Sequence, residues 1–199
     1  MEKDLKNGEF VYVQVNCSNI RYIDGKVNKF YYCRQIVLDH KAENKLHYMV
    51  GGSRDSTFVR NLGINAGPNM QTKYVTMKQI LNSFNGKNKI FDLKNLIDAE
   101  KDNSRIEVLN YNLQDSRDVA QAESLILSVT TPIYACQLMV TLHDYTFEQT
   151  RSLVQKLNDA LYHVFARISS KPNVEYISFM RYSCHHKYKI VDILYDVWK

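Results

Sequence analysis

Residues 181 to 190 read R-Y-S-C-H-H-K-Y-K-I and set Cys184, His185 and His186 side by side. Thiol and imidazole groups bind metals and make nucleophile–base pairs, so the stretch invites both readings. Its spacing argues against each. Neighbouring residues of a strand point to opposite faces, so His185 and His186 cannot ligate one ion from regular strand geometry. Cys184 and His186 share a face, but a tetrahedral zinc site needs further ligands. The remaining histidines, His40, His47, His143 and His163, form no H-E-x-x-H or closely spaced histidine pair. A Cys–His nucleophile pair needs a third group to orient the base, and chain neighbours rarely reach that geometry. The expectation is therefore no metal, no cofactor and no catalytic residue here. The C-H-H-K step reads as the bend between two adjacent antiparallel strands. Cys184 caps one of them, and His185, His186 and Lys187 sit in solvent, gaining positive charge at about pH 6.5.

Other chemistry is equally sparse. The chain has no P-loop, no G-x-S-x-G and no dinucleotide fingerprint. Gly51-Gly52-Ser53-Arg54 could cradle a phosphate through backbone amides, but a glycine pair before a polar loop reads first as a turn. Asp144 follows His143 and suits a helix N-terminus. Asp159 and His163 have the spacing of a surface i, i+4 pair. An enzyme would need a site assembled from remote residues, with His143, His163 or His186 as base.

Charge is more informative. The formal net charge is +5. Between Asp55 and Asp92 there is no acidic residue, while Arg60, Lys73, Lys78, Lys87 and Lys89 all fall there, among six asparagines. Lys73-Tyr74 and Lys87-Asn88-Lys89-Ile90-Phe91 interleave bases with aromatics, as single-strand nucleic-acid grooves do. The same cations would suit an anionic membrane surface. These five residues are the candidate contacts to RNA, ribonucleoprotein or anionic lipid.

The elements that must position these residues follow from periodicity. At 199 residues, 45% apolar and 24% charged, the chain suits a single domain over 1–199, with a possible sub-boundary near 100–104. The polar start, M-E-K-D-L-K-N-G-E-F, is no secretory signal, and no apolar run reaches membrane-spanning length. Four cysteines without C-x-x-C spacing then read as reduced, buried thiols in an intracellular protein of cytoplasm or nucleus. F-V-Y-V-Q-V-N alternates as a strand. K-F-Y-Y-C-R-Q-I-V-L-D and K-L-H-Y-M-V pair as a hairpin across residues 40–44, and 51–72 forms a long connection. Helices are expected over Met77 to Phe84, Ile90 to Ile97 and Ser116 to Glu123, with a strand over R-I-E-V-L-N-Y-N-L between the last two.

In the last block I-Y-A-C-Q-L-M-V-T-L-H alternates, with Gln137, Thr141 and His143 facing out. The T-x-x-Q box of Thr146 and Gln149 opens a long helix over 147–168. V-E-Y-I-S-F-M-R-Y-S and Y-K-I-V-D-I-L-Y-D-V finish as strands. The final strand is apolar on both faces. Tyr188, Ile190, Leu194 and Trp198 on one of them are the candidate interface of a homo-oligomer. The sum is an α+β fold, a mostly antiparallel sheet with packed helices and a C-terminal strand–helix–strand–strand unit.

That C-terminal order resembles the closing unit of negative-strand RNA virus matrix proteins. Y-V-T-M-K-Q-I-L-N-S-F is similar to the first helix of rhabdovirus-type matrix domains, and A-L-Y-H-V-F-A-R-I to the late helix of bornavirus-type ones. No P-P-x-Y motif and no basic, proline-rich arm accompany them, so no individual residue carries over. The resemblance implies a non-enzymatic, self-associating viral structural protein that contacts membrane or ribonucleoprotein. The alternative is a nucleic-acid-binding regulator such as a viral silencing suppressor.

Overall fold

The computed structural model describes residues 10–34, 45–51, 54–67, 69–76, 106–113, 135–171, 173–188 and 193–198. Among the described residues ten strands lie in the order β1 (Phe10–Val15), β2 (Ile20–Asp24), β3 (Lys29–Cys33), β4 (Lys45–Val50), β5 (Met70–Val75), β6 (Ile106–Leu113), β7 (Gln137–His143), β8 (Tyr162–Lys171), β9 (Val174–Arg181) and β10 (Ile193–Trp198). Helix α1 (Ser56–Ala66) joins β4 to β5, and α2 (Phe147–Asp159) joins β7 to β8. A 3₁₀ turn (Tyr182–Cys184) runs into the single helical turn α3 (His185–Tyr188).

Eight strands form one sheet in the order β10-β1-β8-β9-β7-β6-β4-β5, while β2 and β3 make a separate antiparallel hairpin. Within the large sheet β4–β5, β4–β6, β6–β7 and β1–β8 are parallel; β7–β9, β8–β9 and β1–β10 are antiparallel. The protein is thus mixed α/β, and the mostly antiparallel sheet expected from the sequence is corrected. Its four-strand half, β5-β4-β6-β7, is wholly parallel.

Both faces of that half are covered. On one, Leu46, Tyr48, Val50, Leu109, Tyr111, Leu138, Val140 and Leu142 pack against Leu153, Val154 and Leu157 of α2. On the other, Met49, Val108 and Met139 pack against Phe58, Leu62 and Ala66 of α1 and Ile23, Phe30 and Tyr32 of the hairpin. Double coverage is what a parallel sheet demands. It explains why β7, Q-L-M-V-T-L-H, is buried from Gln137 through Leu142 rather than turning Gln137 and Thr141 to solvent.

Several expected elements change. K-F-Y-Y-C pairs with β2, and K-L-H-Y-M-V inserts between β5 and β6, so the two are no hairpin. The supposed connection 51–72 contains all of α1 and the start of β5. The helix opened by Thr146 has the full capping box, yet stops at Asp159. Leu161 then takes a left-handed φ of 64° and the chain reverses into β8. Leu161, Val164, Phe165 and Ile168 mimic a helical stripe, but Val164 and Phe165 are buried in a strand and Leu161 is exposed. The C-H-H-K step is helical, and β9 and β10 are separated in the sheet by β8 and β1. The cysteines are paired as Cys17–Cys33 and Cys136–Cys184, not reduced. The helices expected at 77–84, 90–97 and 116–123 and the boundary near 100–104 lie outside the described residues. No helix among the described residues is long and apolar enough to cross a membrane.

Candidate functional site at the carboxyl ends of the parallel strands

From β4 the chain passes through α1 to β5 on one side, while β6 and then β7 lie on the other. The connections therefore diverge between β4 and β6. In open α/β sheets such a switch point leaves a crevice outside the carboxyl ends of the strands, where ligands bind. The ends meeting here are Gly51 after β4, Leu113 of β6 and His143 of β7.

Gly51 holds φ at 73°, a value easy for glycine, and its amide donates to the Val75 carbonyl at 2.9 Å. The β4–α1 turn then ends on Asp55, the N-cap of α1. Asp55 Oδ1 accepts from the Phe58 amide at 3.0 Å, and Oδ2 accepts from the Val27 and Asn28 amides at 2.8 and 3.1 Å. Burial pushes this carboxyl's pKa up, but the amides of Phe58, Val27, Asn28 and Lys26 outweigh it and hold the pKa below the usual value. The α1 N-terminus consequently already carries its anion, supplied by the chain itself. Arg54, one residue earlier, stacks its guanidinium 5.0 Å from the centre of the Tyr74 ring.

On the hairpin-facing side of β6 and β7 runs a row of polar residues, Asn110, Asn112, Thr141 and His143. Asn112 stands opposite Thr141 in the ladder, and His143 Nε2 lies 3.1 Å from Asn112 Oδ1. A carboxamide oxygen only accepts, so Nε2 is the donor and Nδ1 keeps its lone pair. Burial lowers the His143 pKa against an opposing pull from Asp144. The imidazole is neutral at neutral pH and can take a proton at Nδ1. Beneath this pair Asn110 is fully buried, and among the described residues neither its amide nitrogen nor its oxygen has a partner; Thr141 Oγ1 is buried and also finds none there. A buried polar group left unpaired costs about 1–3 kcal/mol, and such groups are uncommon enough to mark a site.

The residues singled out from sequence lie elsewhere. Arg60 is exposed on α1, and Lys73 is half-buried in β5 with its Nζ 5.8 Å from the Tyr48 ring centre. Lys78, Lys87 and Lys89 fall outside the described residues, as does Ile190. Tyr188 is buried in a core cluster with Val15, Phe165 and Met180. Leu194 and Trp198 sit on β10, the edge strand, paired with Gln14 and Phe10. Of the three candidate bases, His143 is at the crevice and His163 is on β8. The side chain of His186 is not among those described. Asn110, Asn112 and Thr141 were missed; for the two asparagines the signal was the N-Y-N pair in a strand whose one other polar residue is Glu107. Among the described residues no group of three or more His, Cys, Asp or Glu could hold a metal ion.

No family model and no curated protein matches the chain. Solved structures do. A protein-(glutamine-N5) methyltransferase, release factor-specific, from Alicyclobacillus acidocaldarius is 11% identical with a TM-score of 0.49, covering 72% of this chain and 84% of its own. The pyocyanin biosynthetic protein PhzM is 10% identical with a TM-score of 0.35, covering 69% of this chain and 50% of its own. The matrix resemblance fails on its own residues: most of A-L-Y-H-V-F-A-R-I is strand β8 rather than a late helix, and Tyr74-Val75 of Y-V-T-M-K-Q-I-L-N-S-F ends strand β5. The non-enzymatic viral structural reading is corrected accordingly, and the silencing-suppressor alternative goes with it.

Proposed function

We propose that this chain binds a small nucleoside-type molecule in the crevice at the carboxyl ends of β4, β6 and β7, as the core of an α/β enzyme. The buried amide of Asn110, without a partner among the described residues and beneath the Asn112–His143 pair, carries the reading. Carboxamide, hydroxyl and neutral imidazole groups match the donors and acceptors of a heterocycle edge and a ribose. Asp55 already satisfies the α1 N-terminus, the usual seat of a phosphate. That favours a nucleoside moiety over a nucleotide anchored by its phosphates. His143 supplies a proton acceptor for a hydroxyl or amine brought to the same crevice.

Isothermal titration of the full chain with S-adenosylhomocysteine, adenosine, ATP and NAD tests this. Binding of one equivalent of a phosphate-free probe is expected, weakened in Asn112→Ala and His143→Ala. If no adenosine-containing probe binds, or if both variants bind as the parent does, the reading is wrong.

A further inference from the structure

Two imidazoles outside the crevice pack edge to face. His163 projects from β8, opposite Met180 of β9. His185 opens α3. Their ring centroids are 5.3 Å apart with a 62° tilt. The Tyr182 ring completes the cluster, 6.0 Å from His163 and 5.2 Å from His185.

Each histidine has a nitrogen that is buried and finds no partner among the described residues: Nδ1 of His163 and Nε2 of His185. His163 is only 8% exposed, so bulk water does not readily substitute. The frame around the pair is rigid. The amide of Tyr182 donates to the Leu161 carbonyl at 2.8 Å, tying the 3₁₀ turn to the start of β8. The Cys136–Cys184 disulfide fixes the residue before His185 to the entrance of β7. The Arg181 amide also donates to the Cys136 carbonyl at 2.9 Å. Nothing in the crevice chemistry uses these groups.

We propose that His163 and His185 form a two-imidazole site for a borderline transition-metal ion of the Zn²⁺ or Ni²⁺ kind. Imidazole nitrogen is a preferred donor for these ions, whereas Mg²⁺ and Ca²⁺ demand oxygen. Metal–nitrogen bonds of about 2.0–2.1 Å place two ligating nitrogens roughly 3 Å apart. Two imidazoles sharing one tetrahedral ion at such bond lengths have ring centroids about 5 Å apart, and these two stand at 5.3 Å. Burial lowers the pKa of both histidines, that of His185 to about 4 with His163 adding to the effect. Their lone pairs are therefore free at neutral pH. Two protein ligands leave the other coordination positions to solvent or to a partner's donor. An ion held there would pin α3 to β8.

Zn²⁺ or Ni²⁺ titrated into the full chain at pH 7.5 tests the site, followed by calorimetry and by the ¹⁵N resonances of the histidine side chains. One equivalent should bind, and the His163 and His185 resonances should move together. Binding of that equivalent should be lost in His185→Ala, a substitution at a half-exposed position that leaves the core intact. Absence of binding at millimolar ion would overturn the proposal. So would binding that survives in His185→Ala, or perturbation of only one of the two rings. The two-ring readout on the unsubstituted protein keeps the test decisive if a variant misfolds.

Discussion

The side chain of Gln137 grips the backbone of Cys33 as a strand would: its Oε1 accepts from the Cys33 amide and its Nε2 donates to the Cys33 carbonyl, both at 2.9 Å. Two residues far apart in the chain thereby dock the β2–β3 hairpin onto β7, and both are fully buried. The same hairpin closes the face of the sheet that carries the crevice.

Removing that grip has a definite consequence. Gln137→Ala strands a buried amide and a buried carbonyl, at about 1–3 kcal/mol each, and urea unfolding should report a loss in that range or above. Gln137→Glu is the sharper variant. Its carboxylate accepts from the Cys33 amide but repels the Cys33 carbonyl, while the protonated acid can do both jobs. The stability deficit of Gln137→Glu relative to the parent should therefore shrink as pH falls from 7 to 5.

Asp55 makes a second tie between remote segments. Its two oxygens cap α1 and hold the turn at Val27 and Asn28, and a side chain at Gly25 would collide with it and with Phe58. Asp55→Ala removes the cap, worth about 1 kcal/mol, and leaves two hairpin amides unpaired besides. Asp55→Asn keeps an acceptor for one partner but turns an NH₂ toward the other. Thermal unfolding should rank the parent above Asp55→Asn and that above Asp55→Ala. Gly25→Ala should be destabilised as well.

Much of the secondary structure was legible in the sequence, because it is local. The alternation of F-V-Y-V-Q-V and the T-x-x-Q box of Thr146 and Gln149 specify β1 and the start of α2 without outside help. What failed depends on remote partners. Nothing in K-L-H-Y-M-V says that its neighbours are β5 and β6, since a strand apolar on both faces suits any covered position. The end of α2 was hidden because Leu161, not glycine, adopts the left-handed turn. In the glycine- and asparagine-rich 51–72 stretch, the cap that starts α1 was overlooked although Asp55 and Phe58 stand at capping distance. The crevice was invisible for a related reason. Thr141 and His143 look outward by alternation, and the hairpin and α1, which are far upstream, cover that face.

Acid should weaken the fold through its histidines. Burial pushes the His47 pKa down to about 3 and that of His185 to about 4, and lowers those of His143 and His163. A base whose folded pKa is depressed binds its proton in the unfolded chain first. Its contribution is whole above the unfolded value of about 6.5 and is lost as pH falls toward the folded value. For His47 alone this amounts to about 2 kcal/mol at pH 5. Asp55, also depressed, adds its own loss only below the ordinary carboxylate range. Calorimetry between pH 7.5 and 5 should show Tm falling steadily, and His47→Gln should flatten that slope. A Tm independent of pH across this interval would contradict the buried, neutral state of these rings.

The two disulfides should contribute unequally. Both lie in one buried cluster with Val15, Phe165, Met180 and Tyr188, so their packing environments are shared. They differ in span: Cys17–Cys33 closes 16 residues of chain and Cys136–Cys184 closes 48. Cross-links act largely by restricting the unfolded chain, and loop-closure entropy assigns about 3 kcal/mol to the shorter span and about 4 kcal/mol to the longer. Chemical denaturation of Cys17→Ser/Cys33→Ser and Cys136→Ser/Cys184→Ser should show the second pair as the costlier loss. The second also frees the segment that presents His185, so its effect extends to the ring cluster. In Cys136→Ser/Cys184→Ser the His185 imidazole should leave His163 and its pKa should climb back toward the ordinary histidine value. In Cys17→Ser/Cys33→Ser it should remain low. An NMR titration of the His185 side chain in both variants distinguishes a frame held by the Cys136–Cys184 bond from one held by packing alone.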